Sequence, residues 1–558
     1  IRMSFTRVKA LKPPRSVFNL SYEKKFDCDF GQLIPVSCEE MVPGDVFKFG
    51  NEIVIRFQPL FAPILQEINA YVHYFFVPTR LLWDKWEEFI TGGEDGPSSD
   101  MSGPLAPRFY PEKSGSASAS YSAAQNFGTY SLYDYFGFPV IPVTTPGSGG
   151  FSYPGRGTNT TQSEYFYRPL AFPWRAYNLI YNEYYRDETL QDEVDLDQTL
   201  VLNRNWAKDY FTSSLHAQQR GVAPALPISG ILPVTLDGSS LLPVIMENDD
   251  SLAEDLRQLY TTTDITQGSA VGDVKAGNLA PFGLYRAFTD LSGAGVNLAG
   301  AATIDVSDLR LIYQVQKWME RNERSGVRYT EFLHAHYSVS PRDDRLQRPE
   351  YLGGSKSPII VSEVVQTSES SGQSTPTGKL YGKAITADRN YVGSYHAKEF
   401  GYLVGILSVM PKGSYMQGVD RQWLRKSRWD WFSPEFAHLS EQEVVTEEVF
   451  AFPGTESYAG IDNAYKFGYQ ARYNEMRANK SKVCGTLRTT LDYWHLGRKF
   501  DTVPQLNSDF ITCDPTRDDL KRIFQVENVP GLIVNFANII TAIRPIPKFG
   551  EPGYVDHN

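Results

Sequence analysis

The sequence predicts a mainly β protein, an antiparallel β-sandwich, from three observations. At 51–58, Ile53, Ile55 and Phe57 share one face while Glu52, Val54, Arg56 and Gln58 share the other, the period of a half-buried strand. Residues 68–77 and 400–410 are apolar or aromatic on both faces, as central strands are. Tyr and Phe, at 33 each, lift aromatic content to 13%, which suits extensive β structure or large buried interfaces. The opening strands would find partners hundreds of residues away. The sandwich is therefore non-local, with long excursions between strands.

The elements follow in chain order. The first 20 residues carry Arg2, Arg7, Lys9, Lys12 and Arg15 and no acidic residue, and Pro13-Pro14 keeps part of them extended. Such an arm is either a solvated tail or lies along phosphates or a neighbouring subunit. Pro43-Gly44-Asp45 is turn chemistry, and Pro59 and Pro63 separate the first two strands. Thr79 is expected to cap a helix bearing Leu82, Trp86, Phe89 and Ile90, ended by Gly92-Gly93. Residues 96–168 are rich in Gly, Ser, Pro and Tyr, a long loop whose tyrosines suggest ordering against another surface. A helix is expected at 173–187, with Pro173 near its start and Tyr177, Ile180, Tyr181 and Tyr184 at helical spacing.

Residues 221–300 change character. Pro224, Pro227, Pro233 and Pro243 punctuate short apolar runs, 251–260 suits a short helix, and basic residues are sparse. This stretch reads as an insertion with its own small core, projecting from the main body. A helix at 304–323 has Asp305 or Ser307 as cap, with Leu311, Val315 and Trp318 alternating with Ile312 and Met319 along one stripe. Helix continues at 329–337. Strands return at 358–367, an exposed loop follows at 368–378, and the last strand is 531–543 before a proline-bearing tail.

Composition narrows the function. A chain of 558 residues can hold several domains or one domain with very long loops. A net charge of -11 disfavours nucleic acid in bulk, so any such contact must be a local basic patch. Cys28, Cys38, Cys484 and Cys513 show no CxxC spacing and are expected to be free thiols in a reducing compartment. No charged-then-apolar leader opens the chain, and runs such as 403–410 are too short to span a bilayer. A soluble protein without membrane insertion is expected.

No GxxxxGK[ST], HExxH or GxSxG pattern occurs. His334 and His336 would point apart on a helix, and no Cys or carboxylate cluster sits at ligand spacing. No catalytic residue, metal or cofactor is expected. Two basic stretches stand out. At 422–432, Arg425, Lys426 and Arg428 interleave with Trp423, Trp429 and Trp431, the cation-and-platform pattern of single-strand nucleic-acid binding. The alternative is tryptophans anchoring a core or interface inside a solvated basic rim. Arg472, Arg477, Lys480, Lys482 and Arg488 form the second stretch, with fewer aromatics.

Longer motifs add a resemblance. Leu33-Ile-Pro-Val, Pro43-Gly-Asp and Phe75-Phe-Val-Pro-Thr-Arg-Leu-Leu-Trp-Asp open the series. Ser131-Leu-Tyr-Asp-Tyr-Phe-Gly, Arg175-Ala-Tyr-Asn-Leu-Ile-Tyr-Asn-Glu-Tyr-Tyr-Arg-Asp and Asp209-Tyr-Phe-Thr-Ser follow. Arg328-Tyr-Thr-Glu-Phe, Arg345-Leu-Gln-Arg-Pro-Glu-Tyr-Leu-Gly-Gly and Phe467-Gly-Tyr-Gln-Ala-Arg-Tyr complete it. In this order, across most of 20–490, the chain resembles the major capsid proteins of the Microviridae, specifically the gokushovirus branch. Departures lie mostly in the loops at 96–130, 221–300 and 368–390.

The resemblance implies an eight-stranded jelly roll with long interstrand loops. It implies sixty copies meeting at five-, three- and two-fold axes of a T=1 shell around a circular single-stranded DNA genome. It divides the chain into a basic arm (1–20), a first jelly-roll part (21–220), an insertion forming a three-fold protrusion (221–300), and a second part with the tail (301–558). It also implies a small basic DNA-binding protein, an internal scaffolding protein and a DNA pilot protein as partners. A bacterial receptor would meet the protrusion, and assembly would occur in the host cytoplasm. The residues expected to face DNA are Arg2, Arg7, Lys9, Lys12, Arg15, Trp423, Arg425, Lys426, Arg428 and Trp429. A rival reading is a carbohydrate-binding sandwich or glycosidase, which would need paired carboxylates in a cleft and an exposed aromatic platform. A monomeric single-strand binder conflicts with the charge of -11.

Overall fold

A computed structural model describes residues 14–91, 106–108, 129–138, 169–222, 224, 244–248, 285–289, 306–325, 328–338, 342–343, 346–367, 378–453, 460–526 and 529–549. The chain divides into two units, Ile1–Arg220 with Glu320–Asn558, and Gly221–Met319.

The first strands are β1 (Ser16–Asn19), β2 (Tyr22–Cys28), β3 (Ile34–Met41), β4 (Val46–Phe57) and β5 (Ile68–Pro78). In the second unit, β6 (Val244–Asn248) pairs antiparallel with β7 (Tyr285–Thr289), and a helix, Val306–Ser325, begins there. The rest of 225–300, including 251–260, lies outside the described residues, as does the cap position Asp305. Then come β8 (Glu350–Pro358), β9 (Val361–Val365), β10 (Leu380–His396) and β11 (Gly401–Pro411). Last are β12 (Glu441–Val445), β13 (Lys466–Ala471) and β14 (Leu532–Arg544).

One sheet runs β1-β14-β4-β10-β9, and β2 also pairs with β14. The other runs β3-β11-β5-β8. All these pairings are antiparallel. From β2 to β5 the chain changes sheet at every step, and it does so again from β8 through β10 and β11 to β14. That is the alternation of a jelly roll; β1 and β9 extend the first sheet beyond it.

The two inner faces form the main core. Phe47, Phe49, Ile53 and Ile55 of β4, with Val534, Phe536 and Ile540 of β14, pack against Val72, Tyr74 and Phe76 of β5 and Leu403 and Leu407 of β11. The Phe49 and Tyr74 ring centroids are 5.0 Å apart across the sandwich. Each such side chain stabilises the fold by about 1.5–3 kcal/mol on burial. Because only one face of β4 is covered, Glu52 and Arg56 stay exposed and its sequence alternates.

β5 and β11 are apolar on both faces for a different reason. Their outer residues Phe75, Val77, Val404 and Ile406 pack in a second core under the helix Phe172–Ile180, with Trp174 and Tyr177. The Tyr177 hydroxyl donates to the Leu33 carbonyl at 2.9 Å and accepts from the Leu202 amide at 3.0 Å. That helix runs on as a π-turn, Tyr181–Tyr185. A third core, around Phe211, Tyr415, Phe467 and Phe510, sits beside β12 and β13. Gly31 (φ +80°) ties early and late chain together: a Cβ there would lie 2.3 Å from the Cys513 carbonyl oxygen.

Two local expectations fail. Thr79 is not the cap: it is the first residue of the helix Thr79–Leu82, Pro78 holds the cap position, and no side chain caps it. The buried Thr79 amide instead donates to Phe400 O at 3.0 Å. The expected single helix is also broken at Trp83, which is extended (φ -159°, ψ 116°) before the helix Trp86–Thr91. Packing of the Trp83 ring against Phe89 and Phe172, at 5.4 and 6.5 Å, wins over helical periodicity. Gly92 and Gly93 lie outside the described residues.

The helix Tyr329–Tyr337 carries both histidines. His336 Nε2 is 2.6 Å from Asn322 Oδ1, and His334 is exposed. All four cysteines are free. Among the described residues no His/Cys/Asp/Glu group could hold a metal, and no helix is long and apolar enough to cross a membrane.

Candidate nucleic-acid-facing surface

The basic tryptophan stretch leaves the sandwich after β11 and folds as two 3-10 turns, Arg421–Trp423 and Arg428–Asp430. Its shape comes from Asp430. That carboxylate accepts from the Ser427 amide (2.7 Å), the Lys426 amide (2.9 Å) and the Ser427 hydroxyl (3.2 Å). The Ser427 amide bond, first among these, holds the Asp430 carboxyl below the usual range. A Ser-x-x-Asp spacing, legible in the sequence, makes this capping box.

The turn sends the three cations different ways. Lys426 and Arg428 are exposed, and among the described residues neither has a carboxylate partner. Arg428 lies 4.4 Å from the Trp429 ring centroid. Arg425 turns inward: its side chain is 14% exposed, 3.8 Å from Glu475 and 5.7 Å from the Trp431 ring. Trp423 is 73% exposed, and Trp429, Trp431 and Phe432 are each about half exposed.

The second basic stretch runs alongside and braces the first. Arg472 Nη2 donates to Trp429 O at 2.8 Å, and the Tyr473 hydroxyl donates to Trp431 O at 3.1 Å. The Phe432 and Tyr473 rings lie 5.2 Å apart. Lys480 pairs with Asp420 at 3.4 Å, and Lys482 pairs with the same carboxylate. Arg488 Nε donates to Val483 O at 2.8 Å. Most of this stretch is therefore spent on internal structure; Arg477 is exposed.

The surface thus combines flat exposed indoles with the unpaired cations Lys426 and Arg428, which can stack bases and neutralise phosphates. Of the arm residues, Arg15 is exposed beside the Gly44 turn. Arg2, Arg7, Lys9 and Lys12 lie outside the described residues. The bracing by Arg472 and Tyr473 was missed in the sequence, since nothing there joins them to a loop some forty positions earlier.

Comparisons with known proteins converge. A family model described as capsid protein (F protein) matches residues 6–554. Capsid protein VP1 of Chlamydia phage 1 is 33% identical over 613 residues, covering 98% of this chain and 97% of that protein. Capsid protein VP1 of Bdellovibrio phage phiMH2K is 30% identical, and that of Spiroplasma virus 4 is 27% identical, each again over 98% of this chain and 97% of the relative.

Proposed function

This chain belongs to the F-type capsid protein family of the Microviridae, and from that premise we propose that sixty copies close a T=1 shell around a circular single-stranded DNA genome. The role is that of a major capsid protein, structural rather than enzymatic, in the virion. The observation that carries the proposal is the family match from 6 to 554, which leaves almost no part of the chain outside the shell protein.

Physical features support it. A jelly roll with aromatic-rich loops offers the large self-complementary surfaces a closed shell requires. Lys426, Arg428 and the exposed tryptophans, together with Arg15 and the arm residues Arg2, Arg7, Lys9 and Lys12, would face the genome. Such a local patch answers the net charge of -11. A small basic DNA-binding protein would supply further positive charge, with an internal scaffolding protein and a DNA pilot protein as other partners. Assembly would take place in the host cytoplasm.

The domain reading assigns 221–300 to a protrusion at the three-fold axes that meets a bacterial receptor. The mass of nuclease-protected particles tests the copy number. Within that mass, this chain's share is expected to be sixty times 62.9 kDa, and any other multiple would overturn T=1.

A further inference from the structure

On the outer face of the second sheet, past the end of the helix Phe172–Ile180, lies a pocket of about 290 Å³. His73 and Phe75 of β5, Tyr184 and Tyr185 of the π-turn, Tyr351 of β8 and Arg204 line it. It shares no residue with the tryptophan loop.

The one charge among these six side chains is Arg204. Nη1 donates to Ser408 Oγ at 2.8 Å, and the guanidinium carbon lies 4.7 Å from the Tyr71 ring and 5.8 Å from the Tyr185 ring. Among the described residues no carboxylate pairs with it. Arg348 differs: it lies 5.3 Å from the Tyr184 ring and pairs with Asp343 at 2.6 Å. The N–H groups that Arg204 has left form a planar fork, and a carboxylate matches such a fork with two parallel bonds.

The rest of the wall is aromatic and uncharged. His73 Nδ1 is 2.7 Å from the Tyr185 hydroxyl, and burial, then the Arg204 charge, lowers the imidazole to about 4, so it is neutral at pH 7. Beside it, Gly354 has no side chain. A Cβ there would lie 2.8 Å from His73 Cδ2 and 3.0 Å from the Tyr351 hydroxyl. The bare backbone thus leaves room for the Tyr351 ring next to the imidazole, 5.9 Å between centroids, while Tyr351 stays half exposed. Neither the Tyr351 hydroxyl nor His73 Nε2 has a hydrogen-bond partner among the described residues.

We propose that this pocket takes one six-carbon sugar ring bearing a carboxylate, a hexuronate unit of a cell-surface glycan, with the carboxylate on Arg204, the C–H face of the ring on Tyr351 and a hydroxyl on His73 Nε2. The C–H groups carry partial positive charge and pack on the negative face of an aromatic ring. A neutral sugar would leave the guanidinium unmatched, and a free phosphate would leave the rings uncovered. The volume is at the small end for ligand sites, which suits a single ring. The inference goes beyond the attachment reading, which puts the receptor on 221–300, and does not depend on it.

The test is a saturation-transfer NMR titration of particles of the full-length chain with glucuronate and galacturonate, beside glucose and galactose. Each hexuronate should bind roughly tenfold more tightly than its neutral counterpart, and Arg204→Gln should erase that difference. Tyr351→Ala should weaken the hexuronates by a similar factor. Tyr351 is half exposed, so its variant stands in if Arg204→Gln misfolds. Equal binding of acidic and neutral sugars by wild type, or of the hexuronates by wild type and Tyr351→Ala, would overturn the proposal. Cryo-EM of particles soaked in galacturonate should show a ring between Tyr351 and Arg204. A side chain of a neighbouring copy filling the pocket would overturn it too. Particles with 221–300 replaced by a linker should keep the sugar affinity, so failure of the attachment reading leaves this result readable.

Discussion

Asn538 donates from Nδ2 to the Val36 carbonyl at 2.9 Å, inside the sandwich and across 502 positions of sequence. Val36 is where β3 falls out of register: its pairing with β11 passes from Ser37 opposite Gly405 to Pro35 opposite Ile406. Proline cannot donate to the ladder, and a side chain from the last strand of the opposite sheet bonds the carbonyl at that bulge. The bond thus links the two sheets where the ladder of one is irregular.

Asn538→Ala should therefore destabilise the chain by about 1–3 kcal/mol, the cost of a buried group left without its partner. Chemical denaturation of unassembled subunits checks this. An unchanged midpoint would mean that water or the ladder satisfies Val36.

The strands were the most legible part of the sequence. β4 could be read because one face is core and the other solvent, so Ile53 and Ile55 alternate with Glu52 and Arg56. β5 and β11 read correctly as central strands, since each has a neighbour on both sides. Their apolar outer faces arise from a helix beginning at Phe172, far along the chain from β5. Local rules failed where tertiary contacts decided, at Thr79 and Trp83. In the candidate site, composition marked the loop but could not sort its cations. Arg425 differs from Lys426 and Arg428 only because Glu475 comes back beside it.

Acid should weaken the fold through His73. Its folded pKa is lowered to about 4, by burial and then by Arg204, from an ordinary value of 6.5. Between those values the unfolded chain binds more protons. The stabilising contribution is therefore complete above pH 6.5 and is lost as pH falls through 4. Tyr185 and Tyr351 also face the ring but stay neutral throughout this range. Thermal unfolding at pH 7.5, 5.5 and 4.5 should show a smaller acid loss for His73→Gln than for wild type, on the order of 1–2 kcal/mol. Parallel pH profiles would contradict this account of His73.

Lys426→Ala combined with Arg428→Ala should lower DNA retention and reduce its salt sensitivity, because each lost phosphate contact removes counterion release. Arg425 is best left in place, since it pairs with Glu475. Genome content measured in purified particles across a salt series decides the matter. Identical content and slope would remove this loop from the genome-facing surface.

Replacing 221–300 with a short linker should spare the shell and abolish adsorption to host cells. Adsorption assays beside electron microscopy separate the two effects. Full infectivity of the shortened particles would count against an attachment role.

The central claim meets its most direct test in cryo-EM of nuclease-treated particles containing this chain as their dominant protein. The account predicts uniform T=1 icosahedra of sixty jelly rolls, DNA inside, and density from 221–300 gathered at the three-fold axes. A chain found only as a small soluble oligomer, with its companion phage proteins present, would contradict it.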